Sequence, residues 1–226
     1  MLMLTAVQEM NLFKGSSHGN DMGKEALVVR RDVLFREKYF EGFLPAEEYD
    51  FLSLIAKNHT YYPRGDELEH NAMLQQIIPY VLIVHPETKR VFAYRRTGSE
   101  KYQEKRLRNK WSCGVGGHIE RCDDAEPVQS AMMRELREEV VMKNYPQPRI
   151  VGYVNDDVGD VEKVHFGIVA LAESEEEDIA MGDGEIAEGK FMSVAEIEEL
   201  FVRNDVEVES WALLVLPYVK QYLLSL

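Results

Sequence analysis

The sequence predicts an α/β sandwich, and three observations carry that prediction. Short apolar runs with strand character recur at residues 77–84, 91–95, 149–154 and 164–171. Two or three amphipathic helical segments are interleaved with these runs rather than gathered at one end. At 226 residues and 45% hydrophobic, the chain can bury one substantial core with a small appendage.

In chain order, residues 1–24 hold Gly15, Ser16, Ser17 and Gly19 with little periodicity and read as a flexible leader. Residues 25–74 form an N-terminal extension. It opens on a β-rich stretch, 25–35, and continues past Pro45 into a helix over 46–57 with Tyr49, Leu52, Ile55 and Ala56 at helical spacing. The main domain, 75–226, starts with the strand at 77–84, a turn at His85-Pro86-Glu87 and the strand at 91–95. Trp111 and the glycines Gly114, Gly116 and Gly117 precede a helix over 127–142, where Pro127 suits the first turn. Ser193 and Glu196 make a capping box for a short helix to about Val202. A last helix spans 210–224, with Pro217 expected to bend it or delay its start.

Composition excludes some functions. With 40 acids against 26 bases, the net charge of −14 repels duplex nucleic acid and acidic membranes. No run of about 18 apolar residues exists to span a bilayer, and no secretory pattern opens the chain, so a cytoplasmic protein is expected. Cys113 and Cys122 lack metal-site spacing; the simple reading is two thiols in a reducing compartment, with a single disulfide as the alternative. The charge is uneven, however. Between Lys89 and Lys110 stand nine bases and two acids, which suits a small anionic ligand held locally, or else a solvated hairpin. Arg95, Arg96, Arg106 and Lys110 are the candidate phosphate-binding residues.

The most informative stretch is GGHIERCDDAEPVQSAMMRELREEVVM, residues 116–142. On a helical wheel, Val128, Met132, Leu136 and Val140 share one apolar stripe. Glu135, Glu138 and Glu139 fall in an acidic arc beside it, with Glu139 within the angular range of the apolar face. Like charges this close repel by a few tenths of a kcal/mol per pair, roughly, so something must neutralise them. A divalent cation does so, and so would pairing with Arg134 and Arg137 in an ordinary salt-bridged helix.

The stretch resembles the Nudix box of the MutT-like hydrolases. Arg134-Glu135-Leu136-Arg137-Glu138-Glu139 matches its core, Met142 its final apolar position and Gly117 its opening glycine. Glu126 lies at the right spacing before Arg134. There are departures: the loop carries an insertion of about three residues, or Asp123 stands for the early glutamate; Val141 replaces the late glycine; and Val115 stands where many members have proline. The resemblance covers most of residues 75–224, nearest to uncharacterised predicted phosphoesterases of the family. It implies an α/β/α sandwich with a mixed sheet and metal-assisted hydrolysis of a phosphoanhydride in a nucleoside-diphosphate-like substrate. It further implies Mg2+ or Mn2+ on Glu135, Glu138, Glu139 and the Gly117 carbonyl, with Arg134 orienting a glutamate. A base would come from the box or from a later loop, where Glu185 and Glu188 are candidates. A non-catalytic nucleotide or sugar-phosphate sensor and an isomerase of allylic diphosphates are the competing readings of this fold. A small phosphorylated partner is expected, and a homodimer is compatible with either reading. His118 and His165 read as isolated structural histidines. Tyr61, Tyr62, Phe92, Tyr94 and Trp111 could stack a base, although aromatics at strand spacing are usually core.

Overall fold

The structure, a computed structural model, describes residues 24–100, 105–123, 126–182 and 184–226. Residues 1–23 of the expected leader and residues 101–104 of the basic segment, Lys101 and Glu104 among them, therefore lie outside the described residues. The elements are β1 (Glu25–Arg30), α1 (Arg31–Leu34), β2 (Gly42–Pro45), α2 (Phe51–Asn58), β3 (Thr60–Pro63), α3 (Asp66–Glu69), β4 (Leu74–His85) and β5 (Arg90–Arg96). There follow β6 (Trp111–Ser112), β7 (Gly114–Val115), α4 (Pro127–Glu139), β8 (Val140–Val141), β9 (Arg149–Asn155) and β10 (His165–Glu173). The chain closes with β11 (Ala180–Met181), β12 (Ile186–Ser193), α5 (Val194–Phe201) and α6 (Ser210–Ser225).

The main sheet runs β12-β5-β4-β10-β9-β2, with β1 and β7 also pairing with β4, β3 with β1, and β6 with β5. It is mixed: β4 and β10 are parallel, and the other pairs are antiparallel. The central strand β4 shows why this is a sandwich. Val81 and Ile83 belong to the core layer that holds Phe51, Met132 and Leu136, whereas Tyr80, Leu82 and Val84 belong to the layer that holds Trp211, Val215 and Val219. Alternate side chains thus meet helices on opposite faces, so the strand reads as an unbroken apolar run. The α/β/α layering with a mixed sheet is the expected fold.

Several boundaries differ from expectation. The β-rich stretch at 25–35 is strand only to Arg30 and then turns into α1. The helix placed at 46–57 begins with a single 3-10 turn, Ala46–Glu48, and becomes α-helical only from Phe51, where the Asp50 carboxylate accepts from the Ser53 N–H at 2.9 Å. The helix placed over 127–142 stops at Glu139, because the β-branched Val140 and Val141 go extended and pair with β11. Pro217 neither delays nor ends α6, which runs unbroken from Ser210. Burial of Trp211, Val215, Leu216 and Val219 against the sheet outweighs the one lost backbone hydrogen bond, each such side chain contributing about 1.5–3 kcal/mol. The capping box of α5 forms as expected, with Ser193 and Glu196 bonding reciprocally.

Residues 25–74 add strands β1, β2 and β3 to this same sheet, and Leu27, Leu34, Phe51 and Ile55 enter the core layer beneath α4. Both cysteines are free, Cys113 buried and Cys122 exposed. No helix among the described residues is long and apolar enough to cross a membrane.

Candidate metal and substrate site

The site grows from α4. Glu126 precedes the helix, Pro127 starts it, and Ala131, Met132 and Leu136 press it onto the sheet. That orientation carries Glu135 and Glu139 inward, where they are only 8% and 6% exposed, and leaves Glu138 at the rim with its side chain 58% exposed. The helix ends cleanly because the Gly182 N–H donates to the Glu139 carbonyl at 2.8 Å. A side chain at 182 would strike the Glu138 carbonyl, so this approach needs glycine.

Facing α4 is the loop after β7. A β-carbon at Gly117 would sit 2.6 Å from Glu135 Oε1, and one at Gly116 would collide with the Pro79 carbonyl. The two glycines therefore let bare backbone pass between β4 and the carboxylates. Arg134 ties this loop to the helix. Its Nε and Nη2 donate to the two Asp123 oxygens at 2.9 and 3.0 Å, Nη2 also to the His118 carbonyl at 2.8 Å, and Nη1 to Glu135 Oε1 at 2.6 Å. A longer bond, 3.3 Å, reaches Glu138. Of the two sequence alternatives for the early acidic position, Asp123 makes these contacts, while Glu126 makes no side-chain cap. The salt-bridged-helix reading is thus half realised. Arg134 serves Glu135 and Glu138, but Arg137 lies over the Tyr145 ring.

Glu139 is left short of partners. Its Oε2 is buried with no hydrogen-bond partner among the described residues. Burial pushes its carboxyl well above the usual range, against the opposing charge of Arg96. Burial likewise raises Glu135 to about 7, with Arg134 resisting and Glu138 and Glu185 adding to the rise. Such a pair is stable with protons or with a cation between the oxygens, and a hard dication fits an all-carboxylate donor set with an orphaned oxygen.

Glu135 and Glu138 open onto a cavity of ≈580 Å³, and Glu139 lies behind them without lining it. Gly117, Arg134, Glu135 and Glu138 line one side; Lys24, at the end of the expected leader, and Arg64, Asp66 and Glu69 of the N-terminal extension also line it; Tyr80 and Trp211 add aromatic surface, their rings edge-to-face at 5.6 Å. Of the four basic candidates, Arg96 alone lines this cavity. It is 5% exposed and already paired with Glu209, with Glu185 at 3.7 Å. Arg95 points the other way along the strand and bonds Glu188 at 2.7 Å, so neither of these two expected site residues reaches the cavity. Arg106 binds Glu69 at 2.6 Å, and Lys110 offers its carbonyl to the Arg96 N–H; neither lines the cavity itself. Glu185 does, half-exposed at the end of the loop before β12.

Sequence reasoning missed Lys24, Arg64, Glu69, His118 and His165, all of which line the cavity. It read the two histidines as isolated, but their ring centroids are 5.6 Å apart. No local signal marks these residues, since each lies in a different segment. Among the aromatics offered for base stacking, Phe92 and Tyr94 are core, and Tyr61 packs under the Arg121 guanidinium.

The NUDIX domain family model matches residues 76–212, well over half of the chain. Protein YmaB of Bacillus subtilis (strain 168) is 31% identical over 211 residues, covering 88% of this chain and 98% of that protein. Tm1382, of the Nudix hydrolase type, shares the fold at a TM-score of 0.66 and 24% identity, over 88% of this chain and 99% of its own. The NUDIX domain of Shewanella oneidensis NrtR, solved with ADP ribose, matches at 0.52 and 12% identity, over 66% and 88%. The motif on α4, the mixed-sheet sandwich around it and these matches agree: the chain belongs to the Nudix family, hydrolases of phosphorus-containing anhydrides that generally use divalent metal ions.

Proposed function

We propose that the chain is a metal-dependent hydrolase that cleaves a phosphoanhydride bond in a nucleoside diphosphate linked to a second moiety. The observation that carries this reading is the buried Glu135–Glu139 pair, raised in proton affinity and with one oxygen unpartnered among the described residues. Glu135, Glu138, Glu139 and the Gly117 carbonyl would hold Mg2+ or Mn2+. Such an ion, when bound, neutralises phosphoryl charge and makes a coordinated water more acidic.

The remaining roles belong to the chain's own groups. Arg134, locked by Asp123, fixes the Glu135 carboxylate and keeps it from rotating away. Glu185, at the cavity and half-exposed, is better placed than Glu188 to take a proton from an attacking water, with Glu138 the alternative base within the box. Arg64 and Lys24, on the opposite side, are placed to meet substrate phosphates, and Arg96 adds a buried positive charge. Tyr80 and Trp211, both largely buried in the core layer, give the cavity an aromatic floor.

In this reading residues 75–226 are the hydrolase domain, and the extension at 25–74 is the wall that closes its substrate cavity. The protein works in the cytoplasm on a small phosphorylated substrate. The NrtR complex with ADP ribose shows that a related fold accommodates such a diphosphate. The test is a panel of nucleoside-diphosphate conjugates assayed for product with Mg2+ or Mn2+. Metal-dependent cleavage of at least one, abolished in Glu139→Gln, is expected. Tight binding of a panel member without any turnover would favour the sensor instead.

A further inference from the structure

Three side chains from distant segments converge on the cavity: Glu69 on α3, His118 in the loop after β7, and His165 at the start of β10. One ligand atom from each, a ring nitrogen or a carboxylate oxygen, lies within 4.8 Å of the other two. We propose that they form a second metal site, built from other residues than the α4 carboxylates and selective for a transition-metal dication of the zinc type.

The surrounding hydrogen bonds hold both rings and the carboxylate in place. Glu69 is held by Arg106 at 2.6 Å and accepts from the Gln76 amide nitrogen at 3.3 Å. A carboxylate so paired only accepts, so the Gln76 oxygen must face the other way. It lies 2.6 Å from His118 Nε2, which therefore carries the proton. His165 Nδ1 lies 2.6 Å from the Val161 carbonyl and is protonated for the same reason. Each imidazole thus has one ring nitrogen held by an oxygen acceptor, the kind of hydrogen bond that orients metal-binding histidines.

The donor set decides which ion fits. Two imidazoles and one carboxylate suit zinc or a neighbouring transition metal, whereas Mg2+ prefers an all-oxygen shell. Metal–ligand bonds of about 2.0–2.2 Å place tetrahedral neighbours roughly 3.3 Å apart, so closing the present triangle takes shifts of about 1.5 Å at most. Three protein ligands leave a fourth position for water or for a ligand oxygen from the cavity. Asp66 and Glu162, lining the same cavity, add favourable negative potential.

The experiment uses the full chain, stripped by chelator and given Zn2+ in the presence of excess Mg2+. Zinc retained after gel filtration is measured by elemental analysis, and the Co2+ absorption spectrum serves as a second readout of the ligand set. Wild type should retain about one Zn2+ per chain, and so should Glu135→Gln/Glu139→Gln, which makes the outcome independent of the proposed hydrolase site. His118→Gln and His165→Gln should bind zinc more than about a hundredfold more weakly, the upper end of what loss of even an outer partner costs. Glu69→Gln, nearly isosteric, gives the same test should a histidine variant fail to fold by circular dichroism. Wild type that retains no zinc, or retention unaffected by all three substitutions, overturns the proposal and leaves a hydrogen-bonded structural cluster. Zinc lost from the double glutamine variant but kept by the histidine variants overturns it too, because the ion then sits on α4.

Discussion

The two sides of the cavity are built in opposite ways. The α4 side draws its carboxylates from a single helical stretch, residues 134–139, buries two of them and leaves one oxygen without a partner among the described residues. The facing side gathers Arg64, Glu69, His118 and His165 from separate elements, and nearly every polar group there has a hydrogen bond. One side is an unsatisfied charge cluster awaiting a cation; the other is an ordered network. The difference teaches where the fold tolerates electrostatic cost. Burying Glu135 and Glu139 as carboxylates opposes folding of the metal-free chain, and protons or a bound cation recover that cost.

The largest expected effect is therefore on the unsatisfied side. Glu139→Gln should lower turnover by on the order of a hundredfold or more while the protein stays folded, because the amide removes a buried charge rather than a packing group. Steady-state kinetics together with a melting curve measures both. Near-wild-type turnover would break the contrast, since that side would then be structural as well. A smaller loss is expected for Asp123→Asn, which weakens the clamp on Arg134 without touching Glu135. A fall of roughly ten- to a hundredfold in metal affinity or activity is the usual size for such a supporting partner. Recovery of activity at higher Mg2+ would show that Asp123 positions the site, and a loss unmoved by metal would not.

On the opposite side, Arg64→Ala should raise KM more than it lowers kcat, as expected of a group that binds ground state and transition state alike. The smallest effect belongs to Arg95→Ala. Its ion pair with Glu188 is exposed and outside the cavity, so kinetics should stay within about twofold and stability within about 1 kcal/mol. A large KM change there would mean the hairpin folds over the substrate during turnover.

The same contrast explains what was legible in the sequence. The α4 cluster is local, so helical spacing alone puts Glu135, Glu138 and Glu139 on one arc, and the glycines opposite were readable as a close backbone approach. The alternating burial of β4 was legible as an unbroken apolar run. What could not be read is what depends on long-range register. Period-two geometry says that Arg95 and Arg96 face opposite ways, but only the pairing with β12 decides which faces inward. Glu185 and Glu188 separate for the same reason. The end of α4 was misplaced by three residues because Val140 continues the helical apolar stripe, and the strand partner of Val140 and Val141 lies far along the chain at Ala180–Met181. The role of residues 25–74 was invisible, since Arg64 and Glu69 gain meaning only when β1 joins the edge of β4.

The most direct test of the central claim is the Mg2+-linked melting shift as a function of pH. Burial holds the Glu135 carboxyl at about 7, above its ordinary 4.5, and raises Glu139 as well. A group whose folded pKa is raised lends stability in its protonated form. That contribution is complete below the ordinary value and is lost as pH rises through the folded one. The metal-free protein should therefore lose stability as pH rises from about 4.5 to beyond 7, and Mg2+, which takes the place of the protons, should restore it. At about a hundred times its Kd, Mg2+ adds roughly 2.7 kcal/mol, a rise of about 5–10 °C in Tm for a chain of this size. The account predicts that full shift near pH 8, a much smaller one near pH 5, and almost none at either pH in Glu135→Gln/Glu139→Gln. Equal shifts in the wild type and the double variant, independent of pH, would show that Mg2+ merely screens an acidic surface and would contradict the cation site on α4.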